Sequence, residues 1–267
     1  MEKQLLKLTK DNYYSQEADK QYMSVSQVKA FMRCEAAALA KLNSKYTEPK
    51  SDALLFGSYV HSWLDGTIEE FKDENPDLFS SRGKSKGELK SQYQNANLMI
   101  EVLKEDPFCM MALEGDKEVI MTGTLHGHPF KIRIDVYNPL QNRFADLKTV
   151  KDIRGKHWVD EVGWCSFVEA YGYVTQMAVY SEIERQNRGG DYLENYIVAV
   201  SKETPPDKAV ITVDRERIQL ELEYLESRVG RIGRLKAGQE TAKRCENCWH
   251  CRRTKKVTSV THYMDLI

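Results

Sequence analysis

The sequence has no long apolar run, since no stretch of its 267 residues approaches the roughly 18 apolar residues that a membrane-spanning helix needs. The first residues, 1–4, also lack the basic and then apolar pattern of a secretory signal. Charge of one sign is not in excess either, because 39 basic and 40 acidic residues give a formal net charge of −1. We therefore expect a cytoplasmic protein without membrane contact, and a general basic coat for DNA is disfavoured.

Internal repetition and disorder are absent as well. No segment recurs at the period of a solenoid. Hydrophobic residues make up 41% of the chain and charged residues 30%, which is ordinary for a globular protein that buries a core. We expect a single domain over 1–267, with a core of about 51–202, an N-terminal helical part over 1–50, and a C-terminal helix plus cysteine tail over 203–267.

Among the features that are present, the most informative is an acid-x-lysine triplet, Asp146-Leu147-Lys148, inside a strand-like apolar run. Side chains on a strand alternate between its two faces, so Asp146 and Lys148 share a face while Leu147 points into the core. The turn formers in 138–143 predict a hairpin that brings Asp135, at the end of the preceding run, alongside the triplet. The sequence thus predicts two carboxylates that converge on one point.

Two converging carboxylates can hold a hard divalent cation such as magnesium or manganese, and an adjacent ammonium can help orient or deprotonate a metal-bound water. A plainer interpretation stays open, because an aspartate and a lysine on the exposed face of an edge strand usually form only a solvated cross-strand pair. His61, in a helical pattern over 56–64, is either a third ligand or a packed residue. Gln176 and Tyr180 share a helix face and can hydrogen-bond to phosphate or to the acids; alternatively, Tyr180 belongs to the core and Gln176 to the surface.

The predicted elements follow a recognisable order. They are a helix with His61, strands near 118–124, 130–137 and 143–150, a helix over about 166–187 and a strand near 195–201. This order resembles the αβββαβ core of the PD-(D/E)xK nuclease superfamily, an α/β, restriction-endonuclease-like fold with a central mixed sheet flanked by helices. The motifs of its RecB-type branch read here as Gly57-x-x-x-His61, Asp135, Asp146-Leu147-Lys148 and Gln176-x-x-x-Tyr180. With its N-terminal stretch and its cysteine tail, the chain looks like phage-borne exonucleases similar to exonuclease VIII, the RecE nuclease.

The resemblance implies a role for each motif residue. The metal ligands would be His61, Asp135, Asp146 and the main-chain carbonyl of Leu147. Lys148 would position the attacking water, while Gln176 and Tyr180 would support the acids or contact the DNA backbone. The implied reaction is hydrolysis of phosphodiester bonds assisted by magnesium or manganese, in which the cation neutralises charge on the phosphoryl oxygens and lowers the pKa of its water.

The six cysteines are divided unevenly along the chain. Three of them form a C-x-x-C-x-x-C run: Cys245, Cys248 and Cys251. This run follows a long amphipathic helix predicted over 215–236, and in a cytoplasmic chain its spacing favours a metal over disulfides. By resemblance to AddB-type nucleases and cluster-bearing CRISPR-associated relatives, Cys34 would complete the ligands of a four-iron four-sulfur cluster that joins the ends of the chain. The gap before the last cysteine is shorter here, so zinc on four thiolates, or with His250 replacing one, is the alternative.

The leading hypothesis is a metal-dependent DNA exonuclease that degrades linear duplex DNA from 5′ to 3′ and exposes single strands for a phage annealing protein. Its direction is implied by the resemblance alone. An endonuclease or single-strand-specific nuclease on the same scaffold is the second hypothesis, and a non-catalytic DNA-binding adaptor is the third. Related exonucleases form rings around DNA, but no heptad or interface pattern in this sequence decides the number of subunits.

Overall fold

The structure of the protein is a computed structural model that describes residues 5–47, 52–160 and 162–266. The predicted segment boundaries at residues 1 and 50–51 lie outside those ranges. The helices are α1 Gln16–Gln21, α2 Val25–Arg33, α3 Glu35–Leu42, α4 Asp52–Leu64, α5 Ile68–Glu74, α6 Ser91–Lys104, α7 Pro107–Ala112, α8 Phe167–Ala170, α9 Tyr173–Arg188, α10 Arg215–Lys236 and α11 Trp249–Thr254. The strands are β1 Asp116–Leu125, β2 His128–Asn138, β3 Arg143–Val150, β4 His157–Val159, β5 Gly163–Cys165, β6 Glu194–Ser201 and β7 Lys208–Ile211.

The central sheet has the strand order β1-β2-β3-β6-β7. Strands β3 and β6 run parallel, whereas the other neighbouring pairs are antiparallel, so the sheet is mixed. A parallel pair needs a crossover connection, and the chain between β3 and β6 supplies one that contains α8 and α9. With α4 ahead of β1, the order α4-β1-β2-β3-α9-β6 confirms the predicted αβββαβ core and its mixed sheet flanked by helices.

Helices cover both faces of the sheet because its strands carry apolar side chains on both sides. On one face, Phe144 of β3 belongs to a core cluster with Val179 of α9 and Val229 of α10. On the other face, Leu147 of β3 belongs to a cluster with Val60 of α4. Each fully buried side chain of this size stabilises the fold by about 1.5–3 kcal/mol. Strand β3, which carries the acid-x-lysine triplet, is therefore held firmly from both sides.

The helix predicted over about 166–187 is interrupted in the structure. Helix α8 ends at Ala170 and α9 begins at Tyr173, with Gly172 between them in the left-handed region at φ +64°. A side chain at Gly172 would be strained at this φ and would also lie 3.3 Å from the side chain of Lys29. The apolar periodicity did not reveal the break, because an isolated glycine is also tolerated inside a helix.

The amphipathic helix predicted over 215–236 is present as α10, Arg215–Lys236. Asp214 caps its start by accepting a hydrogen bond from the main-chain N–H of Arg217 at 2.8 Å. The sequence patterns did not predict α6, the short hairpin β4–β5 or β7. Throughout the described ranges, no helix has both the length and the apolarity to cross a membrane.

The N-terminal helices pack against α10 near the end of the chain. Glu35, at the start of α3, accepts two hydrogen bonds from the Arg231 guanidinium of α10, at 2.5 and 2.7 Å. The ammonium of Lys236 donates to the carbonyl oxygens of Asp19 and Tyr22, at 2.8 and 2.9 Å. These contacts bring the N-terminal helices toward the cysteine tail.

Candidate active site and cysteine cluster

The candidate active site lies where β2 and β3 separate. Their antiparallel ladder ends at the pair Val136 and Ala145, so Asp135 and Asp146 come directly after it. Instead of continuing the ladder, the Asp135 carboxylate accepts a hydrogen bond from the main-chain N–H of Leu147 at 3.0 Å. The fork between the two strands therefore brings both acids to the same end of the hairpin.

Helix α4 supplies the histidine. The Nδ1 atom of His61 lies 3.6 Å from Oδ2 of Asp135. Gly57, one turn earlier on the helix, lies against β3, since a Cβ at this position would stand 3.5 Å from Oγ1 of Thr149. The close approach of helix and strand at Gly57 places His61 beside the fork.

Asp146 is buried, with 1% of its surface exposed, and two side chains contact its carboxylate. Lys148 forms an ion pair with Oδ2, and the Gln176 amide donates to Oδ1. Burial and the charge of Asp135 raise the pKa of Asp146 to about 6. Burial lowers the pKa of Lys148, but the carboxylates of Asp146 and Asp135 outweigh burial and raise it above its ordinary value. The lysine cation also lies 5.0 Å from the ring centre of Tyr173.

The donor chemistry fits a hard divalent cation, because magnesium and manganese prefer carboxylate oxygens and an imidazole can complete the set. Neighbouring ligand atoms around a magnesium ion with bonds of about 2.1 Å stand about 3 Å apart, and the 3.6 Å between His61 and Asp135 is close to this spacing. Asp146 is less close, since the ligand atoms of these three described residues do not all lie within 4.8 Å of one another. Its carboxylate contacts Lys148 and Gln176.

The site opens onto a cavity of about 660 Å³. The predicted site residues that line the cavity are His61, Asp135, Asp146, Lys148, Gln176 and Tyr180. The side chain of Leu147 is buried behind the site, as the strand alternation predicts. Acids, an amine and an imidazole from α4, β2, β3 and α9 thus share one cavity that has room for a phosphodiester group.

Two further side chains of the cavity could have been found from spacing. Asp65 follows His61 by four residues, just beyond the last residue of α4, and Tyr173 precedes Gln176 by three on α9, so each lies about one helical turn from a predicted residue. Burial and the charges of neighbouring acids raise the pKa of Asp65 to about 6. Asp65 and Tyr173 therefore extend the motifs that contain His61 and Gln176.

Other cavity residues have no sequence signal, because only folding brings their segments together. Burial and the charge of Lys148 lower the pKa of Lys29, on α2, to about 8. Arg133 of β2 pairs with Glu118 at 2.9 Å, and its guanidinium lies 4.8 Å from the ring centre of Tyr14. These cations add positive charge beside the acids, which suits a phosphodiester backbone.

A second group of ligand-type side chains joins α3 to the cysteine tail. Four sulfur atoms lie within 4.8 Å of one another, those of Cys34, Cys245, Cys248 and Cys251. The separations are 3.6 Å from Cys34 to Cys251, 3.8 Å from Cys248 to Cys34 and 4.0 Å from Cys245 to Cys251. His250 does not belong to this group, and its ring lies 5.1 Å from that of Tyr46. The structure therefore brings Cys34 to the C-x-x-C-x-x-C run.

The electrostatics of the cysteines also fit a metal. Burial raises the pKa of Cys34 to about 12. Burial alone would raise the pKa of Cys245 too, but the main-chain N–H groups of Cys248 and Asn247 outweigh it and lower the value to about 6. Four thiolates at these distances would repel one another strongly, and the raised pKa keeps Cys34 in its thiol form without a cation. A metal ion bound to all four sulfurs removes this repulsion, so the donor set is that of a metal centre.

Comparison with known proteins identifies the class of this chain. Residues 24–254 match the model of a family described as "PDDEXK-like domain of unknown function (DUF3799)". The chain belongs to this family, and it is a nuclease of the PD-(D/E)xK superfamily. The match includes most of the chain and confirms the superfamily predicted from the motifs.

A solved structure is similar over nearly the whole chain. It is a crystal structure at 2.19 Å resolution of a protein from Eubacterium rectale that carries the name "Putative exonuclease". The two sequences are 40% identical, the match covers 98% of each chain, and the TM-score is 0.91. No curated protein matches the chain.

Proposed function

We propose that the protein is a metal-dependent exonuclease that hydrolyses the phosphodiester bonds of linear duplex DNA in the 5′-to-3′ direction. The observation that carries the proposal is the fork between β2 and β3. There, His61 and Asp135 approach to 3.6 Å, and Asp146 pairs with Lys148 at an open cavity. The name of the 40% identical structural relative supports the choice of an exonuclease.

The proposed metal ligands are His61, Asp135, Asp146 and the main-chain carbonyl of Leu147, and the proposed ion is magnesium or manganese. A bound cation of this kind supplies charge neutralisation at the phosphoryl oxygens and a water of lowered pKa. The hard donor set and the spacing of His61 and Asp135 support this assignment.

The protein's own side chains orient the reacting groups. Lys148 lies next to the acids and would hold the attacking water. Gln176 donates to Asp146 and so fixes the direction of that carboxylate. Tyr180, one helical turn after Gln176, opens onto the same cavity and would contact the DNA backbone. Lys29 and Arg133 would bind neighbouring phosphates.

The proposed biological role is phage-type recombination. A 5′-to-3′ exonuclease leaves a 3′ single strand, which a single-strand annealing protein can pair with a second DNA. The RecE-like set of motifs supports this role, and it also supports a homo-oligomeric ring around DNA. A cytoplasmic location is proposed as well, since none of the six cysteines is in a disulfide.

End-labelled DNA tests this function. We expect magnesium- or manganese-dependent release of a 5′ label from linear duplex, no cleavage of closed circular duplex, and no hydrolysis when both ions are left out. Asp146→Asn should abolish hydrolysis, whereas Asp73→Asn, at an exposed position, should leave it intact. Cleavage of the circle would favour an endonuclease, and cleavage of single strands alone a single-strand-specific nuclease. Folded, metal-loaded protein without any hydrolysis would be an adaptor instead.

For the cysteine cluster we propose a structural metal. The resemblance implies a four-iron four-sulfur cluster, in which each cysteine binds a separate iron and the sulfur atoms stand well apart. A single tetrahedral zinc with Zn–S bonds of about 2.3 Å places its sulfurs about 3.8 Å apart. Three of the six sulfur separations are 3.6, 3.8 and 4.0 Å, and all six are within 4.8 Å. This spacing favours zinc.

Metal analysis of anaerobically purified protein distinguishes the two. We expect one zinc per chain and no visible absorption. Four irons per chain, with a visible band that is bleached by reduction, would restore the iron–sulfur assignment.

We also propose that the core and its two extensions form one nuclease domain. The contacts of Glu35 with Arg231 and the cysteine cluster support this arrangement, because both tie the N-terminal helices to the C-terminal part of the chain.

A further inference from the structure

The hairpin β4–β5 carries two tryptophans that the proposed catalytic site leaves unused. Trp158 and Trp164 are direct cross-strand partners, with ring centres 5.6 Å apart and planes at 73°. They remain 59% and 68% exposed. Burial of such large rings is strongly favourable, so two neighbouring rings left open to solvent mark an interaction surface.

Local contacts hold these rings in place. The indole N–H of Trp158 donates to the Asp160 carboxylate at 3.1 Å. Gly163 lies under the ring of Trp158, since a Cβ at this position would stand 3.8 Å from it. Because side chains alternate along a strand, the neighbouring His157 and Cys165 face the other side of the hairpin. The two tryptophans thus form one outward aromatic face.

The inward side of the hairpin connects it to the candidate active site. The ring of His157 lies 5.1 Å from that of Tyr171, and Tyr171 lies 6.1 Å from Tyr173. Tyr173 in turn lies 5.0 Å from the Lys148 ammonium. Two ring contacts therefore connect the hairpin to Tyr173, which lines the cavity.

The connection from β3 to the hairpin is basic. Lys151, Arg154 and Lys156 are exposed, and Asp152 is the acid among them. Arg154 also pairs with Asp207 at 3.7 Å, but exposed ion pairs of this kind are weak and leave the cation available. Exposed aromatic rings beside a basic segment are the combination that binds single-stranded nucleic acid, through stacked bases and contacted phosphates.

We propose that Trp158 and Trp164 form a stacking platform for the unpaired bases of a DNA strand that enters or leaves the cavity. The basic residues of 151–156 contact the phosphates of the same strand. The choice of DNA rests on the proposed deoxyribonuclease function. In the competing interpretation the tryptophan pair only stabilises its own hairpin, as cross-strand aromatic pairs do.

Binding in buffer without magnesium or manganese tests the platform without any need for hydrolysis, and it leaves the metal of the cysteine cluster in place. The probes are fluorescein-labelled oligo(dT) and an abasic oligodeoxynucleotide of equal length, which keeps the phosphates but has no bases. We expect Trp158→Thr/Trp164→Thr to weaken binding of oligo(dT) by about 10- to 100-fold, the scale of lost base stacking, and to leave abasic binding unchanged. Threonine keeps strand propensity, and Trp158→Tyr/Trp164→Tyr should retain most of the affinity for oligo(dT).

Variants of the basic segment should affect the two probes equally. Lys151→Ala/Arg154→Ala/Lys156→Ala should weaken binding of both probes to a similar degree, because it removes phosphate contacts alone. In the wild type, oligo(dT) should quench tryptophan fluorescence and the abasic probe should not, which tests the platform without any variant.

Three results would overturn the inference. The first is unchanged binding of oligo(dT) by Trp158→Thr/Trp164→Thr. The second is an equal loss of affinity for both probes in this double variant when it keeps the wild-type Tm. The third is tighter binding of oligo(U) than of oligo(dT) by the wild type. Wild-type protein that shows the expected binding but hydrolyses no DNA with metal would refute the proposed function and leave the platform standing.

Discussion

The two groups of ligand-type side chains differ in how completely they are assembled. The cysteine cluster is tight, with four sulfurs within 4.8 Å of one another. The acid–imidazole site is looser, since the ligand atoms of His61, Asp135 and Asp146 do not all lie within 4.8 Å of one another. Structural metal sites use all their positions for protein ligands, whereas catalytic sites keep one open for water or substrate. This comparison supports the proposed roles, in which the cysteines stabilise the fold and the cavity carries the chemistry.

The groups also differ in where their residues come from. The cysteine cluster joins residue 34 to residues 245–251, while the cavity motifs lie between residues 57 and 180. If these roles are correct, variants of the cysteine cluster should change stability without changing the rate of hydrolysis. Variants of the cavity motifs should change the rate of hydrolysis without changing stability. Three predictions test this separation and a fourth tests the contact between Glu35 and Arg231, in order of expected size.

The largest effect is expected for Lys148→Ala. Because Lys148 would hold the attacking water, its loss should lower the single-turnover rate on linear duplex by about 100- to 10,000-fold. Manganese binding should change little, since the lysine is not a ligand. Lys72→Ala removes an amine that pairs with Glu69 on the surface and serves as the control, with a rate near that of the wild type. A rate for Lys148→Ala within tenfold of the wild type would contradict the assignment.

The next effect concerns stability. Cys251→Ala removes a buried ligand, so the metal should be lost and the free energy of unfolding should fall by at least about 3 kcal/mol. Cys109→Ala, at a buried thiol outside the cluster, should cost about 1 kcal/mol. Urea denaturation and metal analysis measure both variants. Hydrolysis per folded molecule should stay the same, and a strong loss of rate in folded Cys251→Ala would break the separation.

A smaller effect is expected for Gln176→Leu. The Asp146 carboxylate then loses its amide donor, and support of this kind is worth about 10- to 100-fold in metal affinity or activity. The manganese concentration that gives half of the maximal rate should be higher for Gln176→Leu than for the wild type. Gln186→Leu on the same helix removes a surface amide that bonds to Thr124, and it should leave that value unchanged. Equal behaviour of the two variants would mean that Gln176 does not support the site.

The smallest effect is expected for Glu35→Gln. The hydrogen bonds from Arg231 hold the pKa of Glu35 below its ordinary value of 4.5. The charged carboxylate therefore stabilises the fold above this pH, and the contribution is lost as the pH falls through the lowered pKa. The Tm of the wild type should be about 2 °C higher than that of Glu35→Gln at neutral pH. This difference in Tm should disappear in acid. A difference that persists at strongly acidic pH would show another cause.

The motif positions could be predicted because each motif lies on one regular element. The two-residue spacing of Asp146 and Lys148 fits a strand, and the four-residue spacing of Gln176 and Tyr180 fits a helix. The order of the elements then predicted the fold, which the structure and the family match confirm. The roles of these residues in catalysis stay predictions.

The remaining features depend on contacts between distant segments or on very short elements. No local pattern shows that Lys29 reaches the cavity, or that the Gln176 amide contacts Asp146. The strands β4 and β5 have three residues each, too few for alternation to be recognised. The sequence analysis therefore missed the tryptophan hairpin.

The contact between Cys34 and Cys251 spans 217 residues of sequence, which sets an order of events during synthesis. The N-terminal helices leave the ribosome early, but their cysteine cannot meet its partners until residue 251 has been translated. The strands of the fork and helix α9 have emerged by then and can pair beforehand. In the cell, the cysteine cluster can therefore close only after the residues of the cavity have been made, so a metal that binds the cluster would act late in maturation.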